Sequence, residues 1–342
     1  MGLSELSLQS YQRALELEPT MQEACWNLGL HWLIHQRWSQ GWRNYFARRS
    51  LDGAASISWH PGVLRWEGGR PQGRVLVVAE QGIGDEVFLS KGLGLLERRC
   101  DVLACVTVDE RLLPIFRRSY PHLRFASRAK VQSLDAGEFD VQMALGDVAS
   151  YLELDPEREA ELSRPHLLAD ERYKFELRRD SAGVERPRIG VSWKSKNAKL
   201  GEQKSMTLMQ VMSAMKDLEV EWVNLQYGDV SEEIAQVEQA LGVVVRQVQG
   251  VDVDHDLDAW LGLIAGCDAV LTSSNSTAHF AGAVGTPGVV VVPQGKGKIW
   301  YWHDSDTSSL WYPSLRLIHQ DFSGDWTQVM DQAHAWIERT QT

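Results

Sequence analysis

Short unbroken runs of Val, Leu, Ile and Ala alternate with stretches of helical periodicity from residue 74 almost to the C-terminus, and this alternation is the tightest constraint on the fold. The runs are RVLVVAE (74–80), DVLACVTV (101–108), LRFAS (123–127) and FDVQMALGD (139–147), then RIGVSWKS (188–195), VEWVNLQYG (220–228), VVVRQV (243–248), DAVLTSS (268–274) and GVVVVP (288–293). Continuously apolar strands separated by helices belong to a parallel sheet covered on both faces. A charged stretch, DERYKFELRRDSAGVERP (170–187), interrupts the alternation. The pattern therefore predicts two doubly wound α/β domains facing one another across a cleft, residues 74–180 and 187–323, with a boundary near 172–187. Ligands of such sheets sit beyond the C-terminal ends of the strands.

The first fifty residues read differently. YQRALELEP, QEACWNLGLHWLIHQ and WSQGWRNYFARRS are helical, and Leu28, Gly29, Trp32, Gly41 and Tyr45 are spaced as in a tetratricopeptide repeat. Residues 1–52 are read as one such repeat with the tail of another. A lone repeat cannot bury its apolar face, so it must pack on the main body, on another chain or on further repeats. Trp26, Trp32, Trp38 and Trp42 suit either a core or a partner surface. Residues 53–73, rich in Gly, Pro, Ser and Trp, read as a linker wrapping the body.

Composition narrows the function classes. The 342 residues carry a formal charge of −11, which argues against a nucleic-acid or anionic-membrane binder. The four cysteines have no CxxC or metal spacing and read as reduced thiols. The N-terminus lacks the basic start and apolar core of a signal peptide, and no apolar run is long enough to span a bilayer. The expectation is a cytoplasmic protein with no transmembrane segment.

Three places carry chemistry. In EQGIGDEVFLS, Gln81, Gly82 and Gly84 form a turn off a strand, and Asp85 opens a helix. The third glycine of a dinucleotide fingerprint is replaced by Val87, which weighs against NAD(P). Asp85 is read either as a helix cap or as a general base. In SSNSTAHFAGAVGTP, Asn275, Ser276 and Thr277 open a helix whose N–H groups favour phosphate, with His279 on its first turns; capping and a structural histidine are the bland alternatives. In GVSWKSKNAKLGEQKS, Lys194 and Lys196 end a strand, with Lys199 and Lys204 beyond. They read as a solvated basic loop or as neutralisers of a diphosphate. The loop PQGKGKIWYWHDSD, with Lys296, Lys298 and Trp300, is a candidate lid. The acidic run Asp252–Asp258 holds a D-x-D pattern but precedes a helix, so capping is favoured over a metal. No Walker loop, nucleophile elbow, HExxH or Cys/His zinc cluster occurs.

In this order, AEQGIGDEVFLS, IGVSWKSKN, SSNSTAHFAGAVGTPGVVVVP and WYPSLRLI resemble the heptosyltransferase-like, family 9 glycosyltransferases, particularly bacterial members fused to tetratricopeptide repeats. The resemblance covers nearly the whole chain. It implies a GT-B fold with an acceptor domain, a nucleotide-sugar donor domain, and a C-terminal helix (324–342) packing back on the first domain. It implies sugar transfer with inversion, without metal or cofactor, to a protein or glycan hydroxyl. By this resemblance Asp85 is the base on a loop with Gln81, Gly82 and Gly84. Lys194 or Lys196 contacts donor phosphates, and Asn275, Ser276, Thr277 and His279 line the diphosphate. The heptosyltransferases carry Asp-Thr where this chain has Ser274 and Asn275, so the donor sugar does not follow. The competing readings are a non-catalytic scaffold, with a protein partner on the repeat, and a nucleotide-sugar epimerase or hydrolase.

Overall fold

In a computed structural model the nine apolar runs and one further segment form ten parallel strands in two sheets among the described residues. It describes residues 2–51, 57–100, 103–174, 186–197, 200–304 and 308–340. Contacts divide the chain into two units, residues 1–162 and 163–342.

The first unit begins with α1 (Gly2–Leu17), α2 (Gln22–Ile34) and α3 (Trp38–Tyr45). A Cβ on Gly29 would lie 3.0 Å from that of Asn44, so α2 and α3 meet too closely for a larger residue. The helical segment packs on the body of its own unit. Trp42 Nε1 donates to Leu154 O at 2.7 Å, and Trp38 Nε1 donates to Glu157 at 3.1 Å. Trp38 and Trp42 are buried, whereas Trp26 and Trp32 are half-buried. Four strands follow: β1 (Arg74–Val78), β2 (Leu103–Val108), β3 (Arg124–Ser127) and β4 (Val141–Ala144), in the order β3-β2-β1-β4. Between them run α4 (Ile83–Leu89), α5 (Leu93–Cys100) and α6 (Leu113–Ser119), with α7 (Leu145–Leu152) after β4. The 57–73 segment covers the open edge of β4. Trp66 N–H donates to Gln142 O, and Gln142 N–H donates to Leu64 O, each at 2.7 Å. The buried Gln142 amide also donates to His60 O and Val63 O and accepts His60 N–H.

The second unit has β5 (Arg188–Ser192), β6 (Glu221–Asn224), β7 (Val245–Arg246), β8 (Ala269–Ser273), β9 (Gly288–Val292) and β10 (Leu315–His319). Their order is β10-β9-β8-β5-β6-β7. The chain starts at the centre, walks out through β6 and β7, returns to β8 beside β5, and walks out the other way. This is the doubly wound order with one reversal, at the β5/β8 pair. Its helices are α8 (Gly201–Lys204), α9 (Leu208–Met215), α10 (Ser231–Leu241), α11 (Leu257–Gly266), α12 (Ser276–Val284) and α13 (Thr327–Thr340). Thr207 and Gln210 cap α9 reciprocally.

Two expectations change. VVVRQV contributes two strand residues, and the tenth strand, LRLIH, had no counterpart in the pattern. Residues 163–174 belong to the second unit: His166 and Leu167 N–H both donate to Ala283 O, at 2.8 and 3.0 Å. The expected boundary near 172–187 falls largely outside the described residues. The C-terminal helix packs within the second unit. Val329, Met330, Ala333 and Ile337 of α13 share an apolar cluster with Val289, Val291 and Ile318.

Candidate functional site

The reversal between β5 and β8 leaves two chain segments leaving adjacent strands in opposite directions, and the space between them is where doubly wound sheets take ligands. Asn275 ties the two segments together. Its Oδ1 accepts Thr277 N–H at 2.8 Å, capping α12. Its Nδ2 donates to Ser192 Oγ at 2.8 Å and to Lys194 O at 2.9 Å. Gln226, at the end of β6, grips the same segment: its Oε1 accepts Trp193 N–H at 2.9 Å and Lys194 N–H at 2.7 Å. The main chain entering the crevice is thus fixed before any ligand arrives. Ser274 Oγ and Thr277 Oγ1 are buried and have no hydrogen-bond partner among the described residues. Buried hydroxyls without partners are uncommon. Here they stand at the start of a nine-residue helix, with Ser276 half-buried beside them.

The lysines do not act as a pair. Lys194 Nζ contacts Glu233, and Lys196 Nζ lies 2.9 Å from Asp254 and 4.9 Å from the Tyr227 ring centre. Both ion pairs are partly exposed, so each is weak and exchangeable for another anion. Lys199 lies outside the described residues, and Lys204 is buried. The acidic run is accounted for locally. Asp254 also accepts Gly228 N–H, Asp256 caps α11 through Ala259 N–H, and Asp252 meets His255. Among the described residues no three His, Cys, Asp or Glu side chains are grouped to hold a metal.

Two of the expected site residues, His279 and Trp300, are buried among aromatic rings. His279 is buried in an aromatic cluster, stacked on Trp302 at 5.1 Å, edge-on to Tyr301, with Nδ1 3.2 Å from Tyr312 Oη. Its ring is therefore oriented by Tyr301, Trp302 and Tyr312. Trp300 is likewise buried, beside Tyr301 and Trp311. Lys298 pairs with Asp304, whereas Lys296 is exposed.

The first sheet has a matching reversal between β1 and β4, and it is filled by the protein itself. Arg48, fully buried, donates from Nη2 to Glu80 at 2.8 Å and to Asp147 at 2.9 Å, and from Nε to Glu80 at 3.1 Å. Burial opposes its charge, yet Glu80 and Asp147 hold the guanidinium above its ordinary range. Asp147 also accepts Ala144 N–H at 2.9 Å. Gly146 has no room for a side chain. A Cβ there would stand 2.7 Å from Arg48 Nη2 and 2.9 Å from Tyr45 Cε1, and closer still to Glu80 Oε1. The Tyr45 phenol is pushed up by burial and by Glu80.

The glycine loop is built on this cluster. The left-handed residue is Gln81, with φ 60°, rather than either glycine: Gly82 has φ −99°, and Gly84 lies in the first turn of α4. The Gln81 amide donates to Glu80 at 3.1 Å and to Tyr45 Oη at 3.2 Å, while its carbonyl accepts from Arg128 at 3.2 Å. These three bonds hold a backbone conformation that non-glycine residues seldom adopt. Asp85 is half-buried, and its Oδ2 accepts Gly82 N–H at 3.3 Å, so it does cap α4. Next to it, buried Glu86 accepts Asp109 N–H and pairs with Arg128; burial pushes its carboxyl up to about 7. Arg48, Glu80, Asp147, Gln226 and Glu233 were not expected site residues. The one sequence signal among them was a polar residue ending an apolar run, as at Gln226.

No protein-family model matches the chain. The fold is that of solved sugar transferases. It resembles the ADP-heptose lipopolysaccharide heptosyltransferase II of E. coli (TM-score 0.53, 17% identity, covering 80% of this chain and 100% of that one). It also resembles a family 9 glycosyltransferase from Veillonella parvula (TM-score 0.52, 11% identity, 80% and 92% covered). Both sheets and their order suit the GT-B class that the sequence resemblance implied. In sequence, the chain is 31% identical over 318 residues to protein FlbA of Caulobacter vibrioides, covering 86% of this chain. It spans about half the length of that relative, 51%. No helix among the described residues is long and apolar enough to cross a membrane.

Proposed function

We propose that the protein is a glycosyltransferase that moves a sugar from a nucleotide diphosphate donor to an acceptor hydroxyl. The observation that carries this reading is the β5/β8 crevice, where Asn275 and Gln226 fix the main chain and the Ser274 and Thr277 hydroxyls lack partners. A diphosphate against the start of α12 gains its N–H groups and dipole. Lys194 exchanges Glu233 for a phosphate oxygen, a small cost for a partly exposed pair. Asp85 takes the proton of the acceptor hydroxyl as its oxygen bonds to the anomeric carbon and the carbon–phosphate oxygen bond breaks. One such displacement inverts the configuration. The reaction so written uses no bound metal or cofactor. The acceptor is a protein or glycan hydroxyl, and the N-terminal helices offer a surface for a protein.

A non-catalytic reading has one observation in its favour, the engagement of Asp85 as the cap of its own helix. A thermal-shift screen against nucleoside diphosphates and their sugars separates the two when followed by turnover. A ligand at 100 times its Kd adds about 2.7 kcal/mol of stability. A shift abolished by Lys194→Ala, with sugar released or transferred on turnover, supports the enzyme. A shift without turnover on any acceptor supports the scaffold, and no shift with any nucleotide removes both.

A further inference from the structure

A groove of about 450 Å³ opens beyond the C-terminal ends of β9 and β10, lined by Glu202, Gln203, Gln294, Lys296, Gln320 and Trp326. All belong to the second unit. Gln320 is buried and fully used: it accepts Gln294 N–H at 3.3 Å and donates to Gly324 O at 2.6 Å, which fixes the groove floor. The other polar side chains differ. Glu202, Gln203, Gln294 and Lys296 make no side-chain hydrogen bond or ion pair among the described residues. Nearby Lys194, Lys196 and Lys298 are each paired with an acid. Gly297 holds the two walls together, since a Cβ there would meet Gln203 Cβ at 3.1 Å and Pro293 Cγ at 3.0 Å.

We propose that this groove binds a pyranose ring. One ammonium and one carboxylate sum to no net charge, which disfavours a bare anion. Two carboxamides offer donors and acceptors side by side, and a sugar hydroxyl also does both. Trp326, half-buried, supplies a flat apolar face. Ligand sites set a few placed polar groups beside an apolar or aromatic surface, and here half-buried Gln294 and exposed Glu202, Gln203 and Lys296 stand around Trp326. The groove has no aliphatic pocket to anchor a peptide side chain. The ring belongs either to the sugar of the donor or to a saccharide acceptor. The inference rests on carbohydrate being handled here, as in the transferase reading, but not on turnover.

The test uses the whole chain and its Gln294→Ala and Lys296→Ala variants, both at positions without internal side-chain bonds. Calorimetry measures nucleoside diphosphates, their sugars, and free methyl pyranosides. The expected result is binding of a sugar-bearing ligand weakened about five- to tenfold in each variant, the worth of one lost hydrogen bond. Nucleoside diphosphate affinity stays unchanged. Weakening confined to nucleotide sugars assigns the groove to the donor, and weakening of free pyranosides assigns it to an acceptor. Sugar binding indifferent to both substitutions, or no sugar binding at all, overturns the proposal. Nucleotide binding without any sugar effect would do so while leaving the transferase reading intact.

Discussion

Arg48 and Glu80 meet through two parallel hydrogen bonds with neither side chain exposed to solvent, Arg48 Nη2 to Glu80 Oε2 at 2.8 Å and Nε to Oε1 at 3.1 Å. Glu80 lies just past the end of β1, at the entry to the glycine loop, and Arg48 comes from the helical segment before the linker. The place where a dinucleotide would approach the first sheet is therefore occupied by the chain's own guanidinium, which gives a physical reason for the missing third glycine.

Arg48→Ala leaves Glu80 and Asp147 buried without their counter-charge and is expected to cost about 3–5 kcal/mol. The triple variant Arg48→Met, Glu80→Gln, Asp147→Asn should recover most of the loss. Urea denaturation followed by tryptophan fluorescence reads both; an Arg48→Ala protein as stable as its parent would show that water already reaches the cluster.

Asn275→Ala removes the α12 cap and the bonds to Ser192 and Lys194 O together. The cap alone is worth about 1 kcal/mol. The expected outcome is a lowered Tm and at least about tenfold weaker binding of a nucleoside diphosphate, since a charged acceptor loses its aligned donors. Unchanged affinity would move the donor away from this crevice.

Asp85 has two roles that one pair of substitutions separates. Asp85→Asn keeps an oxygen for Gly82 N–H, so stability should change by less than about 0.5 kcal/mol, while transfer falls about 10²- to 10⁴-fold. Asp85→Ala should lose both stability and transfer. Transfer retained by Asp85→Asn leaves Asp85 as a cap alone.

Two buried groups give the stability curve opposite limbs. Burial raises the Glu86 carboxyl from its ordinary value to about 7, so the folded state binds more protons than the unfolded one between about pH 4.5 and 7, and stability falls as pH rises through that window. Burial lowers the Lys91 amine to about 7. Between about pH 7 and 10.5 the folded state then binds fewer protons, and stability rises with pH, by roughly 2 kcal/mol from pH 7 to 9. Denaturation across pH should show Glu86→Gln flattening the acid limb and Lys91→Met the alkaline one. Identical curves for parent and variants would mean that neither group titrates in these windows.

How much of this was legible in the sequence varied with distance along the chain. Val75–Val78 and Val289–Val292 declare buried parallel strands by composition, and Asn275 declares a helix start because amide and hydroxyl residues follow an apolar run. LRLIH escaped notice because WYPS and HQD hide its edges, and its burial depends on β9. Arg48 had no local mark at all: its partners lie 32 and 99 residues away. The aromatic surroundings of His279 had none either, since Tyr301, Trp302 and Tyr312 surround it only after the second sheet is complete. Gln81 shows a further limit, as the turn's left-handed residue stands beside the glycines that composition favours.

The strip of main chain that pairs with the outer edge of β4 means that this protein is not modular at its obvious seam. A chain begun at Arg74 would carry two carboxylates facing an emptied crevice and a strand whose Gln142 amide and carbonyl have lost their partners. Such a fragment would be prone to stick to its own copies. The helices before residue 52 are better regarded as a missing wall of the first sheet than as a passenger, and the protein's minimal folding piece includes them.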